Sequence, residues 1–337
     1  MPSVPLIIGH RGASGYRPEH TSAAYELAFA LGADAVEPDV VATKDGVLVL
    51  RHENEISTTT DVATRKEFRH LRTTKTIDGV KRTGWFTEDF TWAELSTLRA
   101  VERLTDLRQA SASFDRQYPV MRLSHLFGLV DRESERAGRA LGLVVELKHA
   151  TYFEQLGLPL DELFAASVDE AGWGDEQSRL VVESFERTVL AQVRSRAVRG
   201  KFVYLIEASG APYDAVARDG ASARTYEQEL DGPGLYTLAT GVGEQAIDGI
   251  SVNKTLLLDS GADTTTDLVD RAHEAGLEIF AWTLRAENRF LSRPFRRGGG
   301  ADRYGDWRHE FEVLMSTGVD GVFADQPDLA VVVRDAL

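Results

Sequence analysis

Two histidines and two carboxylates stand close together near the start of the sequence. His10 and His52 each follow the end of a short apolar run. Glu37 and Asp39 lie two residues apart within another apolar run, so on a strand both side chains point to the same face. Neighbouring buried carboxylates repel each other unless a cation lies between them. The pattern therefore predicts a cation site beside two histidines. The alternative is a group of surface residues at strand ends.

These residues need strands to position them, and the apolar runs of the sequence supply eight. The predicted barrel strands are 4–8, 35–41, 141–147, 179–185, 201–206, 247–252, 277–284 and 319–324. Helical patterns separate most of them, an alternation typical of a (β/α)8 TIM barrel. Such barrels carry their active sites at the C-terminal ends of the strands, where the candidate residues fall. We therefore predict an α/β fold, a (β/α)8 TIM barrel.

The domain organisation follows from the same pattern. We expect residues 1–337 to form one domain, because no linker-like stretch divides the chain. Residues 53–119 interrupt the strand–helix alternation after the second barrel strand, and we predict that they form an insertion over the barrel mouth. The aromatic residues Trp85, Phe86 and Trp92 within it either line a substrate entrance or form a small core of their own. Residues 207–236 are expected to form a second long loop.

Bulk composition narrows the class of partner. The chain has 337 residues, 43% of them hydrophobic, and a formal net charge of −15. That acidic balance argues against a nucleic-acid or anionic-membrane binder. No run approaches the ~20 apolar residues that a membrane helix needs, so no stable membrane insertion is expected. With no cysteine and no N-terminal signal pattern, we expect either a cytoplasmic protein or a secreted or periplasmic chain trimmed of its signal.

Several short motifs resemble, in order and spacing, those of the glycerophosphodiester phosphodiesterase family. They are His10-Arg11-Gly12, Pro18-Glu19-His20-Thr21, Gly32-Ala33-Asp34, Glu37-x-Asp39-Val40, Thr43-Lys44-Asp45-Gly46 and His52. The histidine at position 20 is similar to the periplasmic bacterial branch, whereas many members have asparagine there. Weaker matches at 146–148, 184–185, 282–283 and 318–321 extend the resemblance over nearly the whole chain.

The resemblance implies a role for each candidate residue. Those roles are metal ligands at Glu37, Asp39 and Glu146, phosphate contacts at Arg11 and Lys148, and walls of the substrate pocket at Phe185 and Trp282. Three carboxylates offer only hard oxygen ligands, which suit Ca²⁺ or Mg²⁺ and fit Zn²⁺ poorly. We expect Ca²⁺, with Mg²⁺ as the alternative. For three of these residues a purely structural role is the alternative. Glu146 and Lys148 would then be an ion pair at a strand end, and Phe185 would be a core residue.

The implied reaction is metal-dependent hydrolysis of a small glycerophosphodiester to sn-glycerol 3-phosphate and an alcohol. Two histidines can share the proton transfers of such a reaction. We assign His10 as the base and His52 as the acid, and the reverse assignment stays open. The alternatives are a phosphodiesterase acting on lysophospholipid, sphingomyelin or teichoic-acid polymer, and a non-catalytic phosphate-ester binding protein. A glycosidase would use a carboxylate pair but would not explain the cationic residues and histidines.

Overall fold

Parallel strands close into a barrel at the centre of the molecule. The structure, a computed structural model, describes residues 4–174, 179–241, 245–259 and 263–337. Its strands are β1 (Leu6–His10), β2 (Ala35–Glu37), β3 (Asp39–Ala42), β4 (Leu48–Leu50), β5 (Thr73–Ile77), β6 (Val80–Gly84), β7 (Gly142–Leu147), β8 (Leu180–Ser184), β9 (Lys201–Ile206), β10 (Gly249–Asn253), β11 (Glu278–Leu284) and β12 (Gly321–Ala324). The barrel runs from β2 through β1, β12, β11, β10, β9 and β8 to β7, which pairs with both β2 and β3 and closes the ring.

The second barrel strand was expected to run without a break over residues 35–41, but the structure has two short strands there. The strand is divided into β2 and β3 by Pro38, which has no N–H to donate to a ladder. The carbonyl of Pro38 instead accepts the backbone N–H of Glu146 at 2.9 Å, so β7 spans the break. Glu37 and Asp39 therefore end one short strand and begin the next. β4 pairs antiparallel with β3 and lies outside the ring of barrel strands.

Helices surround this barrel. They are α1 (Ser22–Ala30), α2 (Trp92–Leu95), α3 (Gln109–Ala112), α4 (Leu123–Ala137), α5 (Ala150–Gln155), α6 (Leu160–Glu170), α7 (Arg187–Ser195), α8 (Tyr213–Asp219), α9 (Tyr226–Glu229), α10 (Gly232–Thr240), α11 (Leu268–Glu274), α12 (Trp307–Met315) and α13 (Pro327–Arg334). The outer face of the strands and the inner faces of these helices form one large apolar core. A smaller cluster fills the barrel interior, made of Ile8, Ala35, Val144, Val203, Phe280 and Phe323. The predicted (β/α)8 TIM barrel is confirmed.

The buried apolar residues of the segment between β4 and α4 join the large core rather than forming one of their own. The hairpin β5–β6 turns at Asp78-Gly79, where both residues have the positive φ that a two-residue turn requires. Trp85 is 7% exposed and Phe86 fully buried, and the indole N–H of Trp85 donates to the carbonyl of Phe68 at 2.6 Å. Of the two predicted roles for these aromatic residues, the structure favours packing.

Residues 207–236 were expected to be a loop, and that expectation is wrong. They contain α8, α9 and the start of α10. Thr225 caps α9 in a reciprocal bond with Gln228, and Asp231 caps α10 through the N–H of Gly234 at 2.6 Å. Short capped helices carry little periodic signal, because one or two turns do not establish a 3.6-residue pattern. Within the described residues, the helices are all too short or too polar to cross a membrane.

Candidate active site

Three carboxylates meet at the C-terminal end of the barrel. Glu37, Asp39 and Glu146 each have an oxygen within 4.8 Å of the other two, and all three side chains are buried. The parallel register of β3 and β7 places Asp39 beside Glu146, and β2 delivers Glu37 from the adjoining position. The Oδ1 atom of Asp39 is buried and has no hydrogen-bond partner. Three carboxylates whose oxygens converge, one of which has no hydrogen-bond partner, fit a divalent cation such as Ca²⁺ or Mg²⁺.

The ionisation of these carboxylates reflects their burial. Burial, followed by the charge of Asp39, raises the pKa of Glu37 well above its ordinary value. Burial also raises the pKa of Glu146 to about 8, although Lys148 offsets part of the effect. Burial disfavours ionisation of Asp39 as well, but His52, Arg11 and Lys148 hold its pKa well below the ordinary range. A divalent ion would favour the ionised form of all three groups.

Arg11 and Lys148 bring positive charge to the same place. Arg11 has a φ of 61° in the turn after β1, and its backbone N–H donates to Oε2 of Glu37 at 2.9 Å. Its Nε lies 3.4 Å from Oδ2 of Asp39. Gly12 allows this turn, because a Cβ there would lie 2.5 Å from the backbone of Ala24 in α1. The Nζ of Lys148 is 2.8 Å from Oε1 of Glu146.

His10 ends β1 and is held by a carboxylate from the end of β12. Its Nδ1 donates to Oδ1 of Asp325 at 2.6 Å. Burial opposes ionisation of Asp325, but Arg285 and Arg108 hold the pKa of that carboxyl well below its ordinary range. The ionised carboxylate fixes the proton on Nδ1, which leaves Nε2 as the acceptor. Burial and then Arg11 lower the pKa of His10 to about 4, so the imidazole is neutral at pH 7.

His52 follows β4 and is held in a similar way. Its Nδ1 donates to Oε1 of Glu53 at 2.7 Å, and its Nε2 lies 3.4 Å from Nζ of Lys148. Glu53 is thus the carboxylate that orients the imidazole of His52. Burial, followed by Arg11 and Lys148, lowers the pKa of His52 to about 3. Burial works against ionisation of Glu53, but His52 and Arg103 hold its pKa well below the ordinary value.

Two arginines of the segment between β4 and α4 form ion pairs with the carboxylates that hold the two histidines. Arg103 donates to both oxygens of Glu19 and lies 2.7 Å from Oε2 of Glu53. Arg108 donates from Nη2 to Asp325 at 2.6 Å and from Nε to Glu287 at 2.8 Å. The two arginines are five residues apart, so one short stretch contacts the carboxylates behind both histidines.

His20 and Glu19 lie behind the carboxylate group. His20 is fully buried and donates from Nε2 to Oδ2 of Asp39 at 2.9 Å. Burial lowers the pKa of His20, so its Nδ1 is free to accept from the hydroxyl of Tyr25 at 2.8 Å. Glu19 accepts from Nη1 of Arg11 at 3.0 Å. Both residues orient groups of the site from behind, as the outer partners of metal ligands commonly do.

Most of the predicted site residues line one cavity of about 450 Å³. Those in its wall are His10, Arg11, Glu37, His52, Glu146, Lys148, Phe185 and Trp282, and Asp39 lies next to them. Phe185 and Trp282 meet edge to face at 5.8 Å, and Nζ of Lys148 lies 5.5 Å from the ring centroid of Phe185. The cavity wall also contains Glu183, a buried carboxylate whose Oε2 has no hydrogen-bond partner.

Sequence reasoning missed several groups of the site. Asp325 follows β12 directly, so its strand-end position was a usable signal. Glu183 lies near the end of β8 and could have been found by the same rule. Arg103 and Arg108 lie in a polar stretch without periodicity, and no local pattern indicated their contacts. His20 was noted only as part of a motif, and its bond to Asp39 depends on a tertiary contact.

Comparison with known proteins shows which family the chain matches. The glycerophosphoryl diester phosphodiesterase family matches residues 10–329. A glycerophosphodiester phosphodiesterase of Arabidopsis thaliana is 29% identical over 340 residues, covering 96% of this chain and 84% of that protein. One from Haemophilus influenzae is 26% identical over 364 residues, covering 98% of this chain and 90% of its own length.

Solved structures show the same fold. A crystal structure from Silicibacter pomeroyi DSS-3 matches with a TM-score of 0.70 at 21% identity, covering 100% of this chain and 95% of that one. A phosphodiesterase of Oleispira antarctica, solved in complex with the product sn-glycerol-3-phosphate, matches with a TM-score of 0.61 at 21% identity, covering 98% and 97%. Because the family match spans nearly the whole sequence, this chain belongs to the glycerophosphoryl diester phosphodiesterase family.

Proposed function

We propose that this enzyme hydrolyses glycerophosphodiesters to sn-glycerol 3-phosphate and an alcohol. A divalent ion would be bound by Glu37, Asp39 and Glu146, and His10 and His52 would act as base and acid. The observation that carries the proposal is the buried carboxylate group beside two histidines whose Nδ1 atoms both donate to carboxylates. The names of the relatives and the product bound to the Oleispira antarctica protein support the substrate class.

The three carboxylates would hold the ion, with Ca²⁺ as the expected metal and Mg²⁺ as the alternative. When bound, the ion would stabilise negative charge on the phosphate oxygens during reaction. Arg11 and Lys148 lie beside the carboxylates and would bind the same phosphate through charge-assisted hydrogen bonds. Phe185 and Trp282 would form the apolar wall against which the glycerol carbons pack.

The two histidines would move the protons. A neutral His10 with its proton fixed on Nδ1 has Nε2 free to accept a proton from the attacking water or substrate hydroxyl. His52 would donate a proton to the departing alcohol. In the free protein its pKa is lowered to about 3, so this role requires the anionic phosphate to favour its charged form. The reverse assignment uses the same atoms and is separated from this one by experiment.

The segment over residues 53–119 would take part in the site as an insertion within one domain. Its residue Glu53 contacts His52, and Arg103 and Arg108 reach the carboxylates behind both histidines. These contacts support its predicted place at the mouth of the barrel. A segment joined to the site by several ion pairs would stabilise the catalytic arrangement and limit which alcohols can enter.

The experiment is release of sn-glycerol 3-phosphate from glycerophosphocholine by the purified protein. It is run after chelation and again after Ca²⁺ or Mg²⁺ is restored. We expect activity to disappear with the chelator and return with the metal. Activity that persists in chelator contradicts metal dependence. Cleavage of lysophospholipid or teichoic-acid polymer but of no small diester would favour those substrates, and a folded protein that cleaves none of them would favour the binding-protein alternative.

A further inference from the structure

A second cavity adjoins the catalytic cavity. It has a volume of about 520 Å³ and shares Glu146, Lys148, Phe185 and Glu207 with the wall of the first. A diester whose phosphate lies at Lys148 therefore has a separate space available for each of its two arms. The second cavity lies between the ends of β7 and β8, the tip of the β5–β6 hairpin and the segment that contains α8 and α9.

The two cavities differ in charge. The catalytic cavity is lined by five cationic residues, Arg11, Lys148, Lys254, Arg285 and Arg289, against four carboxylates, those of Glu37, Glu146, Glu183 and Glu207. Among the described residues, the wall of the second cavity contains one lysine or arginine, Lys148 at the junction, and four carboxylates, those of Asp78, Glu146, Glu186 and Glu207. A positively charged group is therefore stabilised in the second cavity relative to the first.

The carboxylates of the second cavity are not equally available. Glu146 is paired with Lys148, Asp78 is bonded to His149, and Oε2 of Glu186 accepts from the backbone N–H of Thr151 at 2.9 Å. Glu207 is exposed, and its Oε2 accepts from the backbone N–H of Ala208 at 3.3 Å. No ion pair of Glu207 is seen among the described residues. Its charge is thus available to a ligand at the junction of the two cavities.

Aromatic rings complete the wall of the second cavity. They belong to Phe185, Tyr213 and Tyr226. Phe185 and Tyr226 meet edge to face with centroids 6.5 Å apart, and Tyr226 is buried. Aromatic faces beside carboxylates bind ammonium groups, because the negative face of each ring attracts a cation. Neutral polyols gain no such attraction.

We propose that the second cavity receives the leaving alcohol and selects alcohols that carry a positive charge, such as amino and quaternary ammonium alcohols. This proposal rests on the proposed function, because it requires the phosphate to lie at Lys148. Glu207 supplies the charge and Phe185, Tyr213 and Tyr226 supply the aromatic surface. The glycerol arm then occupies the catalytic cavity beside Trp282.

The test compares diesters that share the same glycerol phosphate but differ in the alcohol. We expect kcat/KM for glycerophosphocholine and glycerophosphoethanolamine to exceed that for neutral glycerophosphoglycerol by about tenfold, the scale of a partly desolvated cation–aromatic contact. Glu207→Gln should lower the values for the two cationic substrates by about fivefold, on the scale of one partly exposed charge, and leave glycerophosphoglycerol unchanged. Glu227→Gln, which removes an exposed carboxylate outside the cavity wall, should change none of them.

A second pair of variants tests the aromatic surface. Tyr213→Leu should lower kcat/KM for glycerophosphocholine by about threefold or more, as expected for loss of one ring beside a cation. Tyr236→Leu, at a tyrosine that is 64% exposed and outside the wall, is its control. Equal rates for cationic and neutral diesters, unaffected by Glu207→Gln, overturn the subsite but leave the proposed function intact. Failure to hydrolyse any of the three diesters contradicts both.

Discussion

The two histidines have the same first partner, a carboxylate on Nδ1, but different surroundings. The side chains of His10 and Asp325 are 12% and 2% exposed, and those of His52 and Glu53 are 29% and 22% exposed. Asp325 accepts hydrogen bonds from two arginines, Arg285, which follows β11, and Arg108. One pair is enclosed by barrel strands, whereas the other lies at the edge where the chain leaves β4.

In the proposed mechanism, this difference would suit the two histidines to different proton transfers. A base benefits from a fixed tautomer, which the enclosed partner of His10 enforces. An acid must regain its proton after each turnover, and the greater exposure of His52 gives it access to solvent. The comparison thus supports the proposed assignment of His10 as base and His52 as acid.

The largest expected effect is at the enclosed pair. Asp325→Asn should let His10 carry its proton on Nε2, so that it can no longer accept one. We expect kcat/KM to fall by about 10³–10⁴-fold, as for loss of the orienting aspartate in other histidine-dependent hydrolases. Steady-state kinetics measure this. The control is Asp320→Asn, at the opposite end of β12, which pairs with His273 instead. A loss below tenfold in a folded variant contradicts the role of Asp325.

The less enclosed pair, His52 and Glu53, should tolerate the same chemical change better. Glu53→Gln removes the charge that His52 contacts, but solvent can still supply a proton to the imidazole. We expect a loss of about ten- to a hundredfold in kcat/KM, below the full contribution of a general acid. The exposed Glu67→Gln, at a residue paired with Arg65, should be silent. A Glu53→Gln effect as large as that of Asp325→Asn would remove the difference between the two pairs.

The loss of stability should likewise be larger when the arginine behind His10 is removed than when the one behind His52 is removed. The side chain of Arg108 is 5% exposed and bridges Asp325 and Glu287, whereas that of Arg103 is 24% exposed. Arg108→Ala leaves Glu287 buried without that cation and should lower the unfolding free energy by about 3 kcal/mol. Arg103→Ala should cost less, because water can reach Glu53 and the buried Glu19 keeps its contact with Arg11. Urea unfolding of both variants measures the difference, and equal costs would show that burial does not separate the two arginines.

The last prediction concerns the dependence of stability on pH. The pKa of His10 is about 4 in the folded protein, below its ordinary value, so the unfolded chain binds more protons between these limits. Stability is therefore complete above pH ~6.5 and falls as pH decreases towards 4, by up to about 1.4 kcal/mol per unit from this one group. Unfolding measured in chelator should show a shallower pH slope for His10→Asn than for the wild type. An unchanged slope means that His10 does not titrate in this way.

Much of the site could be predicted because its residues follow strands. His10, Glu37 and Glu146 lie at the ends of apolar runs, and a parallel barrel brings such ends together. The paired spacing of Glu37 and Asp39 correctly placed them side by side, although Pro38 divides the strand that was expected to hold them. The barrel itself was predictable for the same reason, since long buried strands leave a strong apolar pattern.

The supporting contacts could not be predicted, because they depend on tertiary distance. His10 and Asp325 are 315 residues apart in the chain, and Arg108 and Asp325 are 217 apart. A polar stretch such as the one containing Arg103 and Arg108 has no period to reveal which face it presents. The short helices α8 and α9 were missed because capping, rather than periodicity, defines them.

The proposed assignment of His10 as base and His52 as acid is tested most directly by changing the leaving group. His10→Gln and His52→Gln are compared on glycerophosphocholine and on the p-nitrophenyl ester of glycerol phosphate, whose phenolate departs without a proton. Loss of a general acid should cost about 10²–10⁴-fold on the first substrate and little on the second. We predict that His52→Gln recovers activity on the p-nitrophenyl ester and that His10→Gln does not. Recovery by His10→Gln, with His52→Gln inactive on both substrates, would contradict the assignment.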